Sequence, residues 1–160
     1  MNKKLVSLLL ALVMLCAVST AFASKGFGDL ATATVTLGDY DTPLAGWSIT
    51  LLGEDVELAE EIAKADSLSA YFKIDLDGSL ELVECWSLAV EGYVPEIGDV
   101  TTIFTFPTSL SGTVVALIGV DGVWTPVKIE VVDGSAQISF PSALLAAMNG
   151  KVSHIAILMA

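Results

Sequence analysis

The chain has 160 residues, of which 54% are hydrophobic and 16% charged, with 19 acidic against 7 basic side chains and no arginine. Binding to nucleic acid or to anionic lipid depends on clustered Lys and Arg, so this charge balance excludes both classes of partner. The hydrophobic fraction is too high for a disordered chain, and the length suffices for one domain with a real core.

The first 23 residues predict a cleaved secretory signal peptide. Lys3 and Lys4 precede an apolar run over 8–18, and Ala21-Phe22-Ala23 follows as a small-residue cleavage site. A permanent membrane anchor is the alternative, but a spanning helix needs about 20 apolar residues and this run is shorter. We therefore expect cleavage after Ala23 and a secreted or cell-surface protein.

Removal of residues 1–23 changes the charge and the cysteine content. About 137 residues remain, with the two N-terminal lysines lost and a net charge near −14. Cys85 is then the only cysteine, so no intramolecular disulfide can form. Its neighbours Glu84 and Trp86 provide no positive charge to lower the thiol pKa, which favours a structural role over a nucleophile or an interchain bridge.

The mature chain predicts a single mainly β domain over 31–160, after a flexible leader at 24–30. Alternation of apolar and polar residues predicts strands at 31–37 and 47–51. Further strands are predicted at 71–76, 79–90, 100–106, 113–120, 123–132, 135–140 and 151–159. Short strands joined by tight turns indicate an antiparallel β-sandwich.

Three Asp-Gly pairs, at 77–78, 121–122 and 133–134, lie between apolar or alternating segments. Both central residues of a type I′ turn need positive φ, and Asp-Gly meets this requirement well. We expect a hairpin turn at each pair.

Two segments depart from the strand pattern. Residues 55–72 have apolar side chains at helical spacing, with Asp55 as N-cap and an interruption near Asp66-Ser67 where the helix is expected to break. Residues 141–149 open with proline and are followed by glycine, which predicts a short helix or turn.

The segments TVVALIGVDGVWTPV (113–127), VVDGSAQISF (131–140) and IAIL (155–158) resemble the last strands of Ig-like β-sandwich domains in secreted and surface proteins of Gram-positive bacteria. In that family a hairpin with a tryptophan leads through an Asp-Gly turn to a closing strand. The resemblance covers about residues 100–160. It implies an Ig-like fold, a location outside the cell and a spacer or adhesive role.

One segment fits much of a calcium-binding EF-hand loop. The candidate ligands at loop positions 3, 5, 9 and 12 are Asp75, Asp77, Glu81 and Glu84. Lys73, however, occupies position 1, where a cation replaces an oxygen ligand, and the flanking residues predict strands instead of helices. A hairpin turn is favoured over a metal site, and no cofactor is expected.

No catalytic constellation stands out. His154 is the only histidine and lies in the apolar last strand, and the chain has no G-x-S-x-G motif for a Ser-His-acid triad. One histidine with one cysteine is also a poor zinc ligand set. Paired carboxylates for glycoside hydrolysis remain an open alternative, because 19 acidic residues offer many pairs and spacing selects none of them.

Trp124 is the candidate ligand-binding residue. Along 123–132 the odd positions form one apolar face, so Trp124 falls on the opposite, solvent face, where it could stack on a sugar ring. The favoured interpretation, however, is that Trp124 packs under the helix at 55–72 or under a loop. Trp47 and Trp86 are predicted core residues.

These features favour an exported, non-catalytic binding or structural module whose partner is a polysaccharide, the cell wall or a protein. The alternatives are a small secreted carboxylate-dependent hydrolase and a subunit of an extracellular assembly. A concave pocket with two carboxylates of separated pKa would favour the hydrolase, whereas an aromatic residue on an open sheet face would favour the binding module.

Overall fold

The computed structural model describes residues 34–36 and 47–160. The predicted signal peptide (1–23), the leader (24–30) and most of the predicted strand at 31–37 lie outside these residues. The strands are β1 Thr34–Thr36, β2 Ser48–Glu54, β3 Glu81–Glu91, β4 Val100–Phe104, β5 Val114–Val120, β6 Val123–Val132, β7 Ser135–Phe140 and β8 Val152–Met159. The helices are α1 Val56–Ala63, α2 Leu68–Phe72 and α3 Ser142–Met148, with a 3₁₀ turn at Pro95–Ile97.

The strands form one antiparallel sheet in the order β1-β4-β7-β6-β5-β8-β3-β2. Strand β6 connects its two halves, because residues 123–127 pair with β5 and residues 128–132 pair with β7. The sheet curls at this strand into a half-barrel. The prediction of a mainly β, antiparallel domain is therefore confirmed, whereas two separate stacked sheets, as in an Ig-like sandwich, are not confirmed.

The main core lies on the concave face of the curled sheet. Side chains from strands far apart in the sheet order meet there: Trp86 of β3 packs against Phe106 at 6.1 Å between ring centroids, and Phe106 stacks on Phe104 of β4. Helix α3 adds Leu145 and Met148 to this core. The curl thus buries most of the large apolar side chains in one cluster.

A second, smaller core lies on the convex face, between the sheet and helices α1 and α2. It contains residues of β3, β5 and β8 together with one residue from each helix and Leu80: Ile62, Phe72, Leu80, Cys85, Leu117, Ala156 and Leu158. The central strands are therefore apolar on both faces, and both faces are covered. No helix in the described part of the chain is long and apolar enough to cross a bilayer.

The predicted helix at 55–72 is two helices. Asp55 caps α1 by accepting from the Leu58 N–H at 3.0 Å, and Ser67 caps α2 by accepting from the Ala70 N–H at 3.1 Å. The break falls where the sequence predicted it. The predicted strand at 71–76 is wrong, because α2 continues to Phe72, which is buried against the sheet. The short helix predicted within 141–149 is α3.

Two of the three Asp-Gly pairs form the predicted turns. Asp121 and Asp133 have φ of 50° and 52°, and the glycine after each has φ of 78°. The pair at 77–78 does not form a hairpin, because no strand precedes it. Asp77 instead accepts from the N–H and the Oγ of Ser79, at 2.8 and 2.6 Å, in a tight local turn.

Alanine at Gly122 and at Gly134 tests the packing around these two turns. Both glycines have φ of +78°, so alanine at either is expected to cost about 1 kcal/mol of unfolding free energy from backbone strain. Only at Gly134 would the new Cβ also lie 2.5 Å from the Oγ of Ser109. Gly134→Ala should therefore lower the stability in urea unfolding more than Gly122→Ala does.

The matched control is the same pair in a Ser109→Ala background, where the excess cost at Gly134 should disappear. Equal losses for the two variants in the native background would contradict the close contact between Ser109 and Gly134.

Candidate functional site

Residues from four neighbouring strands form a line across the convex face. Register pairs Trp124 of β6 with Gly119 of β5, Gly119 with His154 of β8, and His154 with Ser87 of β3. Because paired residues in adjacent strands share a face, these four positions lie side by side. We call them the outer row.

Trp124 lies across Gly119. A Cβ at residue 119 would come within 3.0 Å of three carbons of the indole six-membered ring, so the missing side chain makes room for the ring. Phe72 meets the indole in a T-shaped contact at 4.9 Å between centroids, and Tyr71 lies 6.5 Å away. The structure therefore places Trp124 on the convex face beside α2, half-buried rather than fully exposed.

Tyr71 extends this aromatic surface. Its ring is half-buried, and its hydroxyl donates to Oε1 of Glu61 in α1 at 3.2 Å. Burial, followed by the hydrogen bond to Glu61, raises the pKa of Tyr71 above its ordinary value. The phenol therefore stays neutral, and it links α2 to α1 next to Trp124.

Asp55 lies above the other end of the outer row. Its Oδ1 caps α1, while its Oδ2 lies 3.3 Å from the Oγ of Ser87 and 3.2 Å from Nδ1 of His154. The serine donates a hydrogen bond. The histidine contact has the distance of an ion pair but not the angle of a hydrogen bond, and Nδ1 is shielded from solvent with no hydrogen-bond partner among the described residues.

Serine, histidine and aspartate are the residue types of an acyl-transfer triad, but the order of contacts differs. In a triad the histidine stands between the serine and the acid and takes the serine proton. Here the acid stands between the other two, because Ser87 and His154 both approach the same oxygen of Asp55. This arrangement does not activate Ser87 as a nucleophile.

Two glutamates near the end of β2 have contrasting environments. Glu84 is buried and accepts from Nε1 of Trp86 at 2.7 Å and from the N–H of Thr108 at 2.8 Å, which fixes the 105–113 loop on β3. Burial, followed by the negative charge of Glu84, raises the pKa of Glu54. Glu54 pairs with Trp86 across β2 and β3, so the two carboxyl groups are neighbours.

The predicted metal ligands do not converge. Asp75, Asp77 and Glu81 are exposed, whereas Glu84 is buried and held by Trp86 and Thr108. The hydrogen bonds from Ser79 lower the pKa of Asp77. Within residues 47–160, no group of three or more His, Cys, Asp or Glu side chains is arranged to hold a metal ion.

Cys85 lies in the convex-face core. Its burial, followed by the charges of Asp55, Glu54 and Glu84, raises its pKa to about 12. The thiolate is therefore strongly disfavoured, as befits a structural side chain. Trp86 is buried in the concave core, and Trp47 is half-buried against Tyr93.

The sequence indicated Trp124 as a candidate binding residue, but it gave no site role to His154 and did not reveal the neighbours of either residue. Ser87, Tyr71 and the second role of Asp55 depend on strand register and on the docking of α1, which residue patterns do not reveal. One local signal was present, since a glycine inside a strand often marks the close approach of another group. Gly119 is such a residue.

Comparison with protein-family models, with curated protein sequences and with solved structures gave no match to this chain. The assignment of the site therefore depends on the geometry of the described residues.

Gly119→Ala tests the contact between Trp124 and the glycine. The Cβ would overlap the indole, so we expect a loss of about 1–3 kcal/mol in unfolding free energy, as for other overpacked sites. In a Trp124→Val background the same substitution should cost far less, because the indole is gone. A double-mutant cycle by chemical unfolding measures the difference, and additive losses would contradict the contact.

Proposed function

We propose that this chain is an exported, non-catalytic binding module that holds a polysaccharide on its convex face. The observation that carries the proposal is the half-buried pair of Trp124 and Tyr71 beside the polar side chains of His154 and Ser87. An aromatic surface with a few placed polar groups is the usual composition of a ligand site.

The chemistry of the surface favours a sugar. Trp124 and Tyr71 offer flat apolar area, and both are fixed, by Gly119 and Phe72 on one side and by Glu61 on the other. Fixed aromatic side chains lose little conformational entropy when a ring stacks on them. The hydroxyl of Ser87 and the imidazole of His154 supply hydrogen-bonding groups for sugar hydroxyls.

The charge of the chain narrows the class of polysaccharide. The mature chain has a net charge near −14 and no arginine, so it repels anionic polymers. A neutral or cationic glycan of the cell surface or medium is therefore favoured over a phosphate-rich wall polymer.

The proposed location rests on residues 1–23, whose pattern predicts export. The resemblance of residues 100–160 to Ig-like domains of exported Gram-positive proteins supports the same location and an adhesive role. An Ig-like ancestry of the curled sheet is part of this proposal.

A carboxylate-dependent hydrolase is the second candidate, favoured by one observation. Glu54 and Glu84 are neighbouring carboxyl groups in different environments, and burial raises the pKa of the former. Pairs of this kind provide the acid and the base in glycoside hydrolysis. Glu84, however, already accepts two hydrogen bonds that hold the fold together.

Retention on insoluble glycans tests the proposal. Residues 24–160 are incubated with cellulose, chitin, chitosan and purified cell walls, and the bound fraction is measured for the native chain, Tyr71→Ala and Trp124→Phe. We expect retention on at least one neutral or cationic matrix, a loss of about tenfold in affinity for Tyr71→Ala, because a stacked aromatic contributes about 1–1.5 kcal/mol, and a smaller loss for Trp124→Phe.

Val94→Ala is the matched control, since Val94 is 49% exposed and lies outside the outer row. Thermal unfolding of each variant separates lost binding from lost folding. The binding proposal would be contradicted if retention is equal in all variants or absent on every matrix. Release of soluble reducing sugar that disappears in Glu54→Gln would replace it with the hydrolase.

A further inference from the structure

Asp55 joins three elements of the fold at one carboxylate. Its Oδ1 accepts from the Leu58 N–H of α1, and its Oδ2 contacts Ser87 of β3 and His154 of β8. Its backbone N–H also donates to the carbonyl of Cys85 at 2.8 Å. Asp55 therefore holds the start of α1 against both β3 and β8.

One of these contacts depends on protonation. A neutral imidazole gives Asp55 little attraction at Nδ1, because the 3.2 Å approach lacks hydrogen-bond geometry. Protonation makes both ring nitrogens donors and places a positive charge beside the carboxylate. The side chain of His154 is 34% exposed, so it can exchange protons with solvent without unfolding.

The other ionisable groups around His154 do not provide a competing cation. Glu54 precedes Asp55, Glu57 lies in the first turn of α1, and Cys85 on β3 has its pKa raised to about 12 and stays neutral. Lys151, on the segment leading into β8, is paired with Asp121 at 2.6 Å. On the β5 side the neighbours are Gly119 and the indole of Trp124, which carry no charge.

We propose that His154 and Asp55 form a proton-controlled latch, which fastens the start of α1 to the sheet at acidic pH and loosens it as the pH rises. Ser87 keeps its hydrogen bond to Asp55 in both states, because its hydroxyl remains a donor throughout this pH range. The latch also reaches the aromatic surface, because Glu61 of α1 holds the hydroxyl of Tyr71. A tighter α1 at low pH fixes Tyr71 beside Trp124, a consequence for binding that rests on the proposed function.

Hydrogen exchange of α1 tests the latch without any ligand. The amides of Leu58 and Ala59 both donate to Asp55, at 3.0 Å each. Their protection factors, corrected for intrinsic exchange, are measured by NMR in residues 24–160 at pH 7.5 and pH 5.5. We expect about threefold greater protection at pH 5.5, the order of effect of a partly exposed ion pair, with the core amide of Ile118 as an internal reference.

Three variants separate the groups involved. His154→Gln removes the imidazole, and Asp55→Asn keeps a capping side chain but removes the charge, so protection of α1 should become independent of pH in both. Glu54→Gln should retain the effect. The latch is overturned if native protection does not change with pH, if the change survives in His154→Gln, or if it is abolished in Glu54→Gln. Because no glycan is present, these outcomes stand whether or not the retention experiment succeeds.

Discussion

The structure depends on the burial of both faces of its central strands. Residues 114–118 and 155–158 are almost continuously apolar, so neither face of β5 or β8 can be left in water. Curling of the sheet at β6 covers the concave face, and helices α1 and α2 cover the convex face. The outer row lies on the convex face beside these helices, where Asp55 contacts Ser87 and His154 and Phe72 contacts Trp124.

Asp55 and Gly119 determine how the helices and the Trp124 ring pack on the convex face of the sheet. Asp55 begins α1 and holds it against β3 and β8, whereas Gly119 leaves the space in which the Trp124 ring lies. Strand register brings Trp124, His154 and Ser87 together on one surface, and Asp55 attaches the helix layer to that surface at Ser87 and His154.

Much of the fold follows from local patterns. The turns at Asp121-Gly122 and Asp133-Gly134, the cap at Asp55 and strands β3 to β8 were predictable, because they depend on neighbours in the chain. The predicted strand at 71–76 is wrong because the apolar run there is too short to show whether its period is that of a helix or that of a strand. Strand order, the curl at β6 and the Asp55–Ser87–His154 contacts depend on long-range register, which one sequence does not contain.

NMR of the indole N–H signals tests most directly whether the convex face at Trp124 is the binding surface. Residues 24–160 are titrated with soluble oligosaccharides of glucose, N-acetylglucosamine and glucosamine. We expect a concentration-dependent shift of the Trp124 signal with at least one of them, and little change for Trp86, which is buried and donates to Glu84 at 2.7 Å. A binding surface at Trp124 would be contradicted by a Trp124 signal that stays unchanged while the Trp47 signal shifts, or by a titration in which no indole signal shifts with any sugar.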